Sequence, residues 1–175
     1  RRQRQMCIRD RRNLGTAIIN GGAFTACDNY VNNGYAYAIA NGDSNHPDAS
    51  LTIHYATVYG SMNGALASDG GVVTVEDGSY TLGKGSEDSL YYVAYTSGNG
   101  QIVLKGGSYT RNVNNSTAFF SDYSDTGAGI VVQGGTYENA AEGKTIAVGN
   151  GVVAISGGNF KDDLSALSLI HISEP

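Results

Sequence analysis

Few residues of this chain stand at spacings that do chemistry. Asp122 with Asp125, and Asp162 beside Asp163, could supply the two carboxylates of glycoside cleavage, one as proton donor and the other as base or nucleophile. Surface loops hold such acids routinely. Asp43-Ser44-Asn45-His46-Pro47-Asp48 places donors at alternating positions but lacks the glycine and terminal glutamate of an EF-hand loop, so local hydrogen bonds are expected there rather than a cation. There is no Gly-x-Ser-x-Gly, no His-Glu-x-x-His and no phosphate loop. No catalytic residue, cofactor-binding residue, cofactor or metal ligand is therefore assigned. What remains is a surface: His54, Glu76, Lys105 and Gln133, with Val103 and Val131, occupy fixed places in a repeat that must position them.

The repeat occurs six times. Its copies begin at Ala17, Leu51, Val73, Ile102, Ile130 and Val153, and the full pattern is seen in Ile102-Val103-Leu104-Lys105-Gly106-Gly107-Ser108-Tyr109. First and third places are large aliphatics in eleven of twelve cases, and the fourth is always polar: Asn20, His54, Glu76, Lys105, Gln133, Ser156. Alternation at period two, in Val and Ile, predicts a strand with one face buried. A helix fails, because nothing apolar recurs at three and four and the glycine pair would break it.

A second, weaker strand lies between copies, centred near 38, 66, 93, 119 and 146, with Ser97-Gly98-Asn99-Gly100 and similar stretches as turns. The spacing is about 27 residues. A coil of that length cannot bury its own apolar face, whereas stacking each coil on the next pairs every strand with its equivalent. The expected fold is all-β: a single-stranded parallel β-solenoid, right-handed, of five to six coils, extending over residues 12–166 without its caps. A β-sandwich is the rival, and it would need hairpins between adjacent strands.

Stacking turns each place in the motif into a column. The aromatic column Phe24, Val58, Tyr80, Tyr109, Tyr137, Phe160 suits either a sugar-stacking track or an internal ladder of rings, and the internal ladder is favoured. The polar column sets Glu76 beside Lys105, where an exposed ion pair is expected. The other outward column, Ile18, Thr52, Thr74, Val103, Val131, Ala154, becomes apolar toward its end. It is either covered or a contact surface.

Composition agrees. Of 175 residues 25 are Gly, and only 15% are charged, as in turn-rich β structure. No apolar run approaches the roughly 20 residues that cross a bilayer, so no direct membrane insertion is expected. The first twelve residues carry six Arg against Asp10, leaving five basic and fifteen acidic residues in the body. That acidic body repels phosphate backbones, so no nucleic acid partner is expected.

Two resemblances bear on the chain. Its opening Arg1-Arg2-Gln3-Arg4-Gln5-Met6-Cys7-Ile8-Arg9-Asp10 resembles the translation of a transposase sequencing adapter, and Leu167-Ser168-Leu169-Ile170-His171-Ile172-Ser173-Glu174-Pro175 resembles the same element on the other strand. The resemblance implies that residues 1–11 and 167–175 are non-native read-through, excluded from functional reasoning. Cys27 then stands alone, as a small buried apolar residue. The second resemblance rests on Leu104-Lys105-Gly106-Gly107-Ser108-Tyr109, Val132-Gln133-Gly134-Gly135-Thr136-Tyr137 and Ile155-Ser156-Gly157-Gly158-Asn159-Phe160. These resemble the runs of bacterial cell-surface, adhesin-like β-helix repeat proteins. That likeness implies an extracellular, noncatalytic stalk or adhesive module whose partners are host or cell-envelope glycans or proteins. A polysaccharide lyase or glycoside hydrolase fragment is the alternative, since related solenoids carry such enzymes. The second copy departs from the pattern, with Tyr55-Ala56 for Gly-Gly and Val58 for the aromatic, which puts its corner in question. Truncated solenoids expose end strands, so self-association through end coils is a further expectation.

Overall fold

The computed structural model describes residues 12–25, 37–60, 64–82, 92–112, 120–125, 127–139 and 147–161. These residues are all-β and hold no helix. In chain order the strands are β1 (Arg12–Asn13), β2 (Thr16–Ile19), β3 (Ala23–Thr25), β4 (Tyr37–Asn41), β5 (Ser50–Ile53) and β6 (Thr57–Gly60). They continue with β7 (Gly64–Val75), β8 (Ser79–Leu82), β9 (Tyr92–Leu104), β10 (Ser108–Arg111) and β11 (Phe120–Ser124). The last five are β12 (Ala128–Val132), β13 (Thr136–Asn139), β14 (Ala147–Val148), β15 (Val152–Ile155) and β16 (Asn159–Phe160).

Two sheets form, and every pairing among the described strands is parallel, which removes the hairpins a sandwich would need. The first sheet runs β1-β4-β7-β9-β11-β14, with β2 and β5 beside one half of β7, and β12 and β15 beside one half of β9. The second runs β3-β6-β8-β10-β13-β16. Register matches like with like. Ile19, Ile53, Val75, Leu104, Val132 and Ile155 form one row, and Ala17, Leu51, Val73, Ile102, Ile130 and Val153 another. Both rows face a core shared with the second sheet, where Phe120 meets the ring of Tyr137 edge-on with centroids 5.8 Å apart. Period-two alternation of Val and Ile is what points these rows inward.

The weaker strand also lies in register: Ile39, Leu66, Ala94, Phe120 and Ala147 succeed one another at intervals of 27, 28, 26 and 27 residues. One expectation is corrected here. Ser97-Gly98-Asn99-Gly100 does not end a strand but lies inside the 13-residue β9, as Gly70-Gly71 lies inside the 12-residue β7, and the register between the two shifts by one residue there. Glycine absorbs the bend within the ladder, with φ of 54° at Gly98 and 68° at Gly71.

Five of the six repeat copies end in a corner whose glycine has positive φ, from 98° at Gly135 to 133° at Gly78, and the second has Ala56 there. A Cβ at Gly135 would lie 2.9 Å from the carbonyl oxygen of Gly107, so the stacking itself excludes a side chain. The divergent second copy keeps the same corner bonds. Thr57 N–H donates to Gly22 O at 2.9 Å and Ser79 N–H to Ala56 O at 2.8 Å, matching Ser108 N–H to Gly78 O at 2.8 Å.

Past the corner the aromatic column is an internal ladder, not a sugar track. Tyr80, Tyr109, Tyr137 and Phe160 stack with centroids 4.9, 4.8 and 4.4 Å apart, and the three tyrosines are buried. Each of their hydroxyls donates to the carbonyl three residues earlier: Asp77, Gly106 and Gly134. The ladder thereby ties itself to the glycine corners.

Candidate binding face

The outer side of β5, β7, β9 and β12 brings together the residues singled out from the sequence. His54, Glu76, Lys105 and Gln133 follow the innermost row, and their N–H groups donate to the carbonyls of Ile19, Ile53, Val75 and Leu104 at 2.8 to 2.9 Å. That chain of bonds fixes the four side chains in one exposed line. Two residues earlier on the same face, Val103 and Val131 are direct register partners and half-buried. The face is therefore a shallow grid, an apolar and threonine column beside a polar one, with rungs about 4.8 Å apart.

The charges on this grid pair differently from the expectation. Glu76 Oε2 meets His54 Nδ1 at 2.5 Å, and the ion pair expected with Lys105 is not formed. Both rungs are equally near, so the choice falls to entropy: fixing a lysine costs four side-chain torsions, fixing a histidine two. Farther along the second sheet, Lys161 pairs with Glu138 at 2.6 Å.

The carboxylates proposed for glycoside cleavage separate. Asp122 points inward and is buried, while Asp125 is exposed. Asp122 Oδ1 accepts from Thr96 Oγ1 at 2.7 Å and from Ser124 N–H at 2.8 Å, and Oδ2 accepts from Gly129 N–H at 3.1 Å. It is thus spent on holding the bend between β11 and β12. Asp162, Asp163 and Cys27 lie outside the described residues. Asp43 accepts from Asn45 N–H at 2.9 Å and meets His46 Nδ1 at 2.7 Å, the local turn expected for that loop. The His46 hydrogen bond holds the Asp43 carboxyl below its ordinary value. Among the described residues no three His, Cys, Asp or Glu side chains gather as a metal site would require.

Two arrangements escaped the sequence reading. Asp69 joins Arg12 Nη2 at 2.8 Å and accepts from Ser97 Oγ at 2.7 Å, and Arg12 Nη1 also donates to Gly42 O at 2.6 Å. Nearby, Tyr95 stacks on Tyr37 with centroids 5.5 Å apart and lies 6.3 Å from Tyr123, tilted 45° to it. The only signal in the sequence was the 28-residue step from Asp69 to Ser97 and from Tyr95 to Tyr123. Arg111, at the place Leu82 takes one rung before, is wholly buried, and burial lowers its pKa while the neighbouring Tyr92 opposes that shift.

No family model, curated protein or solved structure matches this chain.

Proposed function

We propose that the chain winds as one right-handed parallel β-solenoid and serves as a noncatalytic, extracellular module of a bacterial surface protein. It is a stalk whose flat outer grid adheres to host or cell-envelope glycans or proteins. The observation that carries this reading is the in-register line of His54, Glu76, Lys105 and Gln133 beside Val103 and Val131. A repeating line of exposed polar groups beside shallow apolar rungs suits an extended ligand laid across several rungs, each contact weak and the sum large. Right-handedness follows from the parallel crossovers, which take that hand in nearly every known case. The surface location rests on the Gly-Gly-aromatic motif alone.

A polysaccharide-cleaving solenoid needs acids converging on one groove. Among the described residues, Asp122 is committed to the interior and Glu76, Asp69 and Glu138 to ion pairs, which favours adhesion. The test is a glycan and envelope-protein array probed with the whole chain and with the triple variant Glu76→Ala, Lys105→Ala, Gln133→Ala. Binding that the triple variant loses while keeping its β-sheet spectrum supports the grid. Release of reducing or unsaturated sugar from a pectin and glycan panel would replace this reading with the enzyme.

A further inference from the structure

The outer face of β5, β7, β9 and β12 carries its residue types in a mirrored order. Its half-buried column runs Thr52, Thr74, Val103, Val131 in direct register from rung to rung, and its exposed column runs His54, Glu76, Lys105, Gln133. Counted outward from the midpoint between the rungs of Glu76 and Lys105, the acid stands at the same distance as the base, each threonine at the same distance as a valine, and His54 at the same distance as Gln133. The face lies in the middle of the stack: residues 64–82 and 92–112 hold its two central strands together with the bend before and the glycine corner after each. Val72 on its margin is 38% exposed, and the side chains of His54 and Glu76 are 45% and 43% exposed. His54 takes Glu76 Oε2, and neither Glu76 Oε1 nor Lys105 Nζ has a partner among the described residues.

We propose that this face binds a second copy of the chain across a two-fold axis that runs along the strands, midway between the rungs of Glu76 and Lys105. This rests on the reading of the outer grid as a docking surface and names its occupant. Such an axis lays the two stacks antiparallel, strand over strand, and every place in the mirrored order then meets its complement. Glu76 faces Lys105 of the second copy, twice by symmetry, while Thr74 faces Val103, Thr52 faces Val131 and His54 faces Gln133. A two-fold axis along the stack would instead set Glu76 on Glu76 and Lys105 on Lys105, so charge selects the antiparallel arrangement. Sheets packed face to face stand about 10 Å apart, a gap that a glutamate and a lysine reaching toward each other can span. The threonine methyls and the valines supply the apolar centre, with the charges beside it. A glycan or an unrelated protein imposes no relation between rungs equidistant from one point, whereas a second copy requires it. Four rungs by three columns give each copy a footprint of roughly 400 Å², which belongs to the small, reversible class of interface, so the dimer forms at high local concentration.

The experiment follows the mass of the whole chain by sedimentation, under reducing conditions and at low salt, from about 10 μM to about 1 mM. The unmodified chain is expected to pass from monomer toward dimer over that range. Glu76→Lys and Lys105→Glu each put like charges across the axis twice, and each should weaken association at least tenfold. An equimolar mixture of the two variants should recover it to within about threefold, because in the mixed pair both contacts across the axis are again acid to base. That recovery also shows both variants folded. A chain that stays monomeric at about 1 mM, an association that either charge reversal leaves unchanged, or a mixture no better than its components would overturn the proposal. The glycan and envelope-protein array separates it from the adhesive reading. A monomeric chain that still binds the array through the grid removes the second copy and leaves that reading standing, whereas a dimer that obeys these charges beside a blank array sustains the second copy and removes the foreign ligand.

Discussion

The buried tyrosine ladder makes alkaline pH a direct probe of the fold. Burial raises the pKa of Tyr80, Tyr109 and Tyr137 well above the ordinary value of 10, with the charge of Asp77 and the neighbouring phenols adding to the shift at Tyr109. In the unfolded chain the same phenols ionise near 10. Below that pH both states hold the protons and stability is unaffected. Above it the unfolded state releases protons that the folded state retains, so stability falls as pH rises toward the folded pKa values. Each phenol then costs about 1.4 kcal/mol at pH near 11 and about 2.7 near 12, and three together cost about 4 and about 8. For a domain stability of about 5 to 8 kcal/mol, the lower part of the usual range, this places cooperative unfolding between about pH 11 and 12, and a more stable fold unfolds at a correspondingly higher pH. The assay follows phenolate absorbance and far-ultraviolet dichroism on one sample. Tyr80, Tyr109 and Tyr137 should ionise only as the sheet signal collapses. Tyr109→Phe, which keeps the ring and matches the Phe of the terminal rungs, should remove about a third of the pH dependence. Ionisation of every tyrosine near pH 10 with the sheet signal intact would refute the ladder's burial.

Three further perturbations test other parts of the argument. Gly135→Ala combines positive φ with a 2.9 Å approach to Gly107 O and should cost about 3 kcal/mol in urea unfolding, whereas Gly127→Ala, at φ of 65° with nothing within 4 Å, should cost about 1. Asp122→Ala leaves Thr96 Oγ1 and the amides of Ser124 and Gly129 without their acceptor. It should cost about 3 kcal/mol and lower hydrogen-exchange protection at those two amides first. Glu76→Gln breaks an exposed pair and should change stability by less than about 1 kcal/mol, so any larger loss of ligand binding in that variant reports on the grid rather than on folding.

The parts of this structure legible beforehand are those that depend on period alone. Aliphatic residues two apart, recurring before a glycine and an aromatic, fixed which side chains face inward and which rungs pair. Register followed, because a slip of one residue would expose every one of them. The second copy was readable for the same reason: Leu51 and Ile53 hold its place although Ala56 stands where glycine was expected. Period does not say which neighbour a side chain chooses. Glu76 has a basic partner one rung away on either side, and the choice of His54 over Lys105 turns on flexibility, which a pattern of residue types does not encode.

Asp122 shows the same limit inside the fold. Beside Asp125 it reads as a surface acid, yet it shares a column with Asn41, Ser68 and Thr96, all buried and polar. Asn41 Nδ2 donates to Gly70 O at 3.0 Å, Ser68 Oγ to the same oxygen at 3.2 Å, and Thr96 Oγ1 to Asp122 itself. The column exists because the bend inside each long strand frees backbone groups that no strand partner can reach, and a short polar side chain is the nearest substitute. An acid can fill that place because backbone and hydroxyl donors converge on it in lieu of water. The carboxylate most readily read as a catalyst is therefore accounted for by the bend, and the adhesive function proposed for this chain would have to reside in what its rungs display outside.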